Sequence, residues 1–242
     1  AEDIARWRGM GDACAIHIDT GMNRLGVDLD DARAAADLKV ELVMSHLACA
    51  ADPANPRNAR QLALFREARA RFPDAPASLA ASAGIYLGAD YHYDMVRPGI
   101  SLYGGGPREV AHPDFKAVAR LEAPILQVRD LKPGAAVGYG DGFVADRAMR
   151  IGLVAAGYAD GLLRRAMGRA TAWIGAAPAP ILTVSMDLLA VDLTQSPGAR
   201  PGDLVELLGP RAHVDDLAAA TETVAHECLV RLSARADRIA RG

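Results

Sequence analysis

Several residues that can bind anions or move protons follow apolar runs of this sequence. Asp19, Arg24, His46 and Arg97 each come shortly after such a run, and Tyr139 stands between two glycines. Arginine binds anions, whereas aspartate, histidine and tyrosine can accept or donate a proton. If the apolar runs are parallel strands, the polar residues beyond their carboxyl ends lie at one mouth of the sheet, where β/α barrels carry their active sites.

Each of these residues also has a structural interpretation. Asp19 can cap a turn, Arg24 can be a surface arginine, and a histidine at a strand end such as His46 is more often structural than catalytic. The glycines beside Tyr139 leave room for its side chain to project into a cleft. Spacing alone does not decide between these roles.

The first 118 residues alternate apolar runs with helical patterns, which predicts βαβ units and a parallel sheet. The predicted strands are 14–18, 40–44, 78–80 and 94–96, and the predicted helices are 3–8, 30–38 and 58–71. A complete eight-fold β/α barrel takes about 250 residues. This region therefore fits half a barrel or a small open sheet.

From residue 119 to residue 242 the pattern changes to short β-rich runs that Gly-Pro turns separate, which predicts a mostly β domain. The predicted strands are 124–128, 150–155, 170–174, 181–184, 189–193 and 204–208, and two helices close the chain at 214–220 and 224–235. The predicted fold class is α/β plus β, with a partial β/α barrel at 1–118 and a β domain at 119–242.

Composition narrows the class of protein. The chain has 242 residues, 51% of them hydrophobic, and a net charge of -3, which argues against a general nucleic-acid binder. No apolar run reaches the length of about 20 residues that a membrane span needs. Cys14, Cys49 and Cys228 are far apart and form no metal-ligand spacing, so we expect reduced thiols in a cytoplasmic protein and no metal.

Six strings carry a resemblance to a known family. They are DTGMNRLG, MSHLACA followed by Asp52-Pro53, VRPGISLYG, VGYG, GYADG and VSMD. In this order, over residues 12 to 238, they resemble the alanine racemases. The resemblance implies a barrel that binds pyridoxal 5'-phosphate, followed by a β domain.

The resemblance implies a two-base racemisation of L-alanine to D-alanine, which supplies D-alanine for cell-wall synthesis. Tyr139 matches one catalytic base, and the lysine that forms a Schiff base with the cofactor is the other. The partners implied are alanine and a second copy of the chain. In such a homodimer, the barrel of one subunit and the β domain of the other share each active site.

Other positions match residues that bind the substrate or the cofactor. Arg97 matches the arginine that hydrogen-bonds the pyridine nitrogen, and Arg24 matches a residue that positions the tyrosine and the substrate carboxylate. Met186 and Tyr158 match the carboxylate site and the entry gate. The residues that match the phosphate site are Ser82, Gly99, Ile100 and His226, and those expected to support the direct contacts are His46, His17 and Asp187.

The sequence departs from the family pattern at several places. His17 stands where some members have a carbamylated lysine, Ala81 where asparagine is common, and His226 where tyrosine is usual. The family's cofactor lysine lies near the start of the barrel, in a stretch that this chain does not contain. None of its three lysines (Lys39, Lys116 and Lys132) matches that context, so we expect that this chain alone lacks the Schiff-base lysine.

Three alternatives stay open. The protein can be a broad-specificity amino-acid racemase, a non-catalytic racemase-like fragment, or, less well supported, a sugar- or phosphate-binding barrel protein. The absent lysine favours the fragment. The presence together of Tyr139, Arg97, Arg24 and Tyr158 favours the enzyme.

Overall fold

The computed structural model describes residues 2–240, which form two compact units, one that ends at Ser101 and one that begins at Leu102. The predicted domain boundary, after residue 118, lies between the end of the first unit and the first strand of the second, which begins at Leu121. No helix in the described part of the chain is long and apolar enough to cross a membrane.

The first unit is built on a three-stranded parallel sheet in the order β1-β2-β3. Its elements are α1 (Glu2–Met10), β1 (Cys14–His17), β2 (Val40–Met44), α2 (Pro56–Arg69), β3 (Ala77–Ser78) and α3 (Ser82–Ile85). The predicted β/α alternation is therefore confirmed. Ile16 of β1 pairs with Val43 of β2, which pairs with Ala77 of β3, so the strands end side by side.

Helix α2 covers this sheet because its sequence provides a cap and an apolar face. The Asn55 side chain accepts a hydrogen bond from the Arg57 N–H, and Pro56 occupies the first turn, where its missing N–H costs nothing. Leu62 and Phe65 are buried against the sheet. Because the cap sets where α2 begins, it also sets which positions along the helix face the ends of the strands.

Three predicted elements of the first unit differ from the structure. The helix predicted at 30–38 is a short 3₁₀ turn, Asp31–Ala35. The strand predicted at 78–80 is shorter and begins earlier, at Ala77–Ser78. The run 94–96 is not a strand, because the N–H groups of Asp94 and Met95 both turn to the single carbonyl of Ala77.

The second unit is a closed antiparallel barrel in the order β10-β7-β4-β11-β8-β9, which confirms the predicted β domain. Its elements are β4 (Leu121–Leu131), β5 (Ala136–Val137), β6 (Phe143–Val144), β7 (Met149–Val154), β8 (Thr171–Ile174), β9 (Ala177–Val184), β10 (Leu189–Asp192), β11 (Leu204–Leu208), α4 (Val214–Ala220) and α5 (Ala225–Val230). Alternate residues such as Ile125, Ile181 and Val205 fill its core.

The last helix is shorter than the sequence pattern predicts. The pattern indicates a helix over 224–235, but α5 ends at Val230. Beyond it, the Ser233 N–H bonds to the carbonyl of Asp160, in a turn far earlier in the chain, and so cannot continue the helical ladder. The segment 231–235 lies instead along the turn that carries Tyr158.

Candidate functional site

Arg97 forms hydrogen bonds with residues at the carboxyl ends of both β2 and β3. Its Nη1 donates to the carbonyl and the hydroxyl oxygens of Ser78, at 3.0 and 2.5 Å, and its Nη2 donates to the carbonyl of Ser45 at 2.6 Å. Burial lowers the pKa of the guanidinium from its ordinary value, but an arginine in a protein keeps its proton. Arg97 is therefore a fixed cation with an oriented side chain.

His46 lies beside Arg97 on the loop after β2. The Nδ1 atom of His46 is 3.4 Å from the Arg97 Nη2. The buried Gln61 of α2 holds this loop, because its Nε2 donates to the carbonyl of His46 at 3.0 Å and its Oε1 accepts from the Ala48 N–H at 2.8 Å. The position of His46 thus depends on a helix residue that the sequence motifs do not include.

His17 ends β1 and lies in the same electrostatic neighbourhood. Burial lowers the pKa of both His17 and His46, and the positive charges of Arg97 and Arg24 lower these pKa values further. The carboxylate of Asp19 partly opposes the effect on His17. Both imidazoles are therefore neutral at pH 7, and Arg24 is exposed close to them.

Asp19 caps a turn, which was one of its two interpretations. Its Oδ1 accepts hydrogen bonds from the N–H groups of Gly21, Met22 and Asn23, at 2.8, 2.9 and 3.1 Å. Burial alone would raise the pKa of this carboxyl, but the three N–H donors and His17 together lower it. Asp19 therefore shapes the loop that carries Arg24.

Two serines and a backbone amide form a small donor cluster beyond β3. The Ser82 hydroxyl oxygen accepts from the Gly99 N–H at 2.7 Å and from the Ser101 N–H at 3.4 Å, so its own proton is available to another acceptor. The Ser101 hydroxyl is buried and has no partner among the residues that the structure describes. Ile100 lies between these two donors along the chain.

This donor set fits the group that the sequence implies. An unpartnered buried hydroxyl lacks the hydrogen bond that burial requires, and a phosphate oxygen would supply it. Arg97 adds a donor that never gives up its proton, which suits hydrogen bonding to the unprotonated nitrogen of a pyridine ring. Ser82, Gly99, Ile100 and Arg97 would therefore hold pyridoxal phosphate. Ser101, which lies within the string VRPGISLYG but is not among the predicted site residues, would join them.

Tyr139 belongs to the second unit and projects away from it. It begins a 3₁₀ turn between β5 and β6, after Gly138, whose φ of 89° is a conformation that glycine adopts easily. A Cβ on Gly138 would also lie 3.2 Å from the Cγ2 of Thr183, closer than most side-chain contacts allow. The Tyr139 side chain is 90% exposed, so its hydroxyl is available to a ligand.

A cavity of about 590 Å³ lies next to this turn within the second unit. Tyr139, Tyr158, Met186 and Asp187 line it, together with Arg164. Tyr158 and Met186 are held together by their backbones, because the Tyr158 N–H donates to the carbonyl of Ser185 at 3.0 Å and the Ala159 N–H donates to the carbonyl of Met186 at 3.0 Å. The structure therefore brings together four of the five predicted site residues of this unit, all except His226.

Other predicted residues lie elsewhere. His226 is exposed on α5 in the second unit, whereas the phosphate donors Ser82, Gly99 and Ile100 belong to the first. Lys39 pairs with Glu41 at the amino end of β2, the end opposite to His46. Of the other lysines, Lys132 lies in the turn after β4 and Lys116 precedes that strand.

The chain matches the two domains of one family in order. The N-terminal domain of alanine racemase matches residues 1–107, and the C-terminal domain of alanine racemase matches residues 118–240. A curated alanine racemase of Rhodospirillum rubrum is 44% identical over 98% of this chain and 68% of its own length. A biosynthetic alanine racemase of Agrobacterium fabrum is 43% identical over 93% of this chain and 63% of its own length.

Solved structures agree with these sequence relatives. The crystal structure of alanine racemase from Bartonella henselae, with covalently bound pyridoxal phosphate, has a TM-score of 0.89 and 33% identity, and covers 98% of this chain and 70% of that one. The biosynthetic alanine racemase from Pseudomonas aeruginosa has a TM-score of 0.87 and 35% identity, over 97% of this chain and 70% of that one. The chain thus spans about two thirds of the length of the relatives it matches.

Proposed function

The chain belongs to the alanine racemase family, and on that premise we propose that the protein interconverts L- and D-alanine with pyridoxal phosphate. Tyr139 and the cavity beside it carry this proposal, because they present an exposed phenol, two loop backbones and the Arg164 side chain to a small ligand. One relative at 43% identity is a biosynthetic alanine racemase, which supports a role in supplying D-alanine for cell-wall synthesis.

Arg97, Ser82, Gly99 and Ile100 would hold the cofactor at the mouth of the parallel sheet. When bound, pyridoxal phosphate withdraws electrons from the substrate's Cα and so stabilises the negative charge that remains after proton removal. Arg97 keeps its own proton and holds the neutral His46 beside it, so this side of the site offers a fixed positive charge and no acid.

Tyr139 would exchange a proton with the Cα of alanine through its Oη. Racemisation needs a base on each face of that carbon, and Tyr139 would serve one face. The Schiff-base lysine would serve the other, and Lys39, Lys116 and Lys132 do not fit that role: Lys39 lies at the opposite end of β2 from His46, and the other two belong to the second unit.

Arg24 and the loops of Tyr158 and Met186 would bind the carboxylate and exclude water. His17, which lies near Arg24, would support its position. Asp187 would support the loop of Met186 through its hydrogen bond with Arg235.

We propose that each active site joins the first unit of one chain to the second unit of its partner in a homodimer. The cofactor residues belong to the first unit and the proton-transfer and substrate residues belong to the second, so neither unit by itself holds the complete set. The exposure of Tyr139 is consistent with a partner that covers it. The cytoplasmic location stays a prediction from the cysteine spacing.

The direct test is racemisation of L-alanine with pyridoxal phosphate by this chain joined to the lysine-bearing barrel segment of a racemase relative. Tyr139→Phe removes one hydroxyl and is expected to lower kcat/KM by at least about 100-fold, the usual range for a lost acid or base. Tyr86→Phe makes the same change at an exposed tyrosine of the first unit and is the matched control. Absence of D-alanine with the unsubstituted protein, or equal rates for both variants, contradicts the proposal.

A further inference from the structure

The turn that carries Tyr158 and the loop that carries Met186 are packed against each other without spare room. Besides the two backbone hydrogen bonds that join them, Gly157 lies so close that a Cβ at this position would be 2.3 Å from the carbonyl oxygens of both Ser185 and Met186. A small displacement of one loop therefore moves the other.

The C-terminal segment 231–235 lies over this pair. The Ser233 N–H donates to the carbonyl of Asp160 at 3.2 Å. Gly161, with a φ of 108°, lies under the chain so closely that a Cβ there would be 2.4 Å from the carbonyl oxygen of Arg231. The end of α5 thus leads the chain directly across the turn of Tyr158.

Arg235 connects both loops through their carboxylates. Its Nη1 donates to Oδ1 of Asp187 at 2.8 Å, and its Nε lies 3.5 Å from Oδ1 of Asp160. The other oxygen of Asp160, Oδ2, accepts from the Gly157 N–H at 2.9 Å. One guanidinium therefore reaches the loop of Met186 directly and the turn of Tyr158 through Asp160.

We propose that Arg235 is a positioning residue that fixes the Tyr158 turn against the Met186 loop and so sets the affinity of the cavity for alanine. The identity of the substrate in this inference rests on the proposed function. The contacts of Arg235 are independent of that function. Because Arg235 is half-exposed, its ion pairs contribute little to global stability. It also touches no residue that we propose to transfer a proton. Its effect acts on the geometry of substrate binding.

The first experiment compares Arg235→Ala with the unsubstituted chain, each joined to the same lysine-bearing barrel segment and loaded with pyridoxal phosphate. KM for alanine is expected to rise about 10-fold with a smaller change in kcat, since misplaced binding loops weaken substrate binding more than the proton transfer. The thermal midpoint is expected to fall by less than about 4 °C. Arg235→Lys keeps the positive charge but loses the planar set of donors that reaches both carboxylates. Its KM is expected to lie between those of the unsubstituted protein and Arg235→Ala.

Arg200→Ala is the matched control, because Arg200 pairs with Asp203 in an exposed turn of the same unit. Its KM is expected to stay within about twofold of the unsubstituted protein. A double-mutant cycle adds Asp187→Asn: because the two side chains act as one contact, the double variant is expected to be little worse than the poorer single variant. A KM for Arg235→Ala within about twofold of the unsubstituted value overturns the proposal, whatever happens to the thermal midpoint.

Hydrogen exchange separates this proposal from the proposed function. Arg235→Ala is expected to speed exchange of the Tyr158 and Ala159 amides, which bond to the Met186 loop, while the amides of β4 stay protected. If the unsubstituted protein does not racemise alanine, the proposed function fails, and faster exchange at these two amides still supports the positioning role. Unchanged exchange in that case overturns it.

Discussion

Arg97 illustrates how one side chain can define a site through its position in the fold. Three of its hydrogen bonds go to Ser45 and Ser78, at the ends of two neighbouring strands, so the cation is placed by the sheet itself. Its charge then acts on the imidazoles of His17 and His46, whose pKa values burial has already lowered. Both histidines are consequently held neutral.

These two histidines predict a pH dependence of stability. Their folded pKa lies below the ordinary value of 6.5, so below that pH the unfolded chain binds more protons than the folded chain. Stability is therefore complete above 6.5 and falls as the pH is lowered towards the folded pKa.

Urea unfolding without cofactor between about pH 7.5 and pH 5.5 measures this slope. The double variant His17→Gln/His46→Gln is expected to show a flatter slope over the same range. His112→Gln, at an exposed histidine of the second unit, is the control and should leave the slope as it is. Equal slopes for the double variant and the unsubstituted protein would contradict the pKa directions.

At the scale of elements, α2 holds the loop of His46 in place through Gln61. Gln61 is buried and contacts that loop at two backbone groups, and its Nε2 also donates to the Thr20 hydroxyl at 3.1 Å. The helix is therefore not only a cover for the apolar face of the sheet. It also connects the loops after β1 and β2.

Gln61→Leu keeps the volume and removes these hydrogen bonds. The carbonyl of His46 and the N–H of Ala48 lose their side-chain partner, and the free energy of unfolding is expected to fall by about 2 kcal/mol or more. Gln127→Leu, on an exposed face of β4, is the control and is expected to change stability by less than about 0.5 kcal/mol. Chemical denaturation measures both, and equal values for the two variants would mean that Gln61 does not hold the loop.

Sequence patterns predicted most elements but missed the residues that hold them together. The bounds of β2, β11 and α4 agree with the predictions because their apolar runs are short and well punctuated. Gln61 and Arg235 escaped notice because their partners are distant in sequence and polar side chains leave no periodic signal. The pattern overestimates the length of α5 for the same reason, since Ser233 bonds to Asp160 from another part of the chain.

At the scale of the whole molecule, the predicted site residues divide between two compact units. Arg24, His46, Ser82 and Arg97 belong to the first, and Tyr139, Tyr158 and Met186 belong to the second. The family resemblance predicts these residues, and within each unit the predicted residues lie near one another. How the two sets combine depends on assembly, which no local pattern encodes, and the homodimer with shared sites is our proposal for it.

Complementation between two inactive variants tests this central claim most directly. Arg24→Ala alters the first unit and Tyr139→Phe alters the second, and each is expected to lower racemisation by about 100-fold. The two chains, each joined to the same lysine-bearing barrel segment, are produced together with different affinity tags. The mixed dimer is isolated through both tags and loaded with pyridoxal phosphate. A shared site predicts one intact site in each mixed dimer, and so about half of the unsubstituted activity. Activity no higher than that of either variant alone would contradict the account.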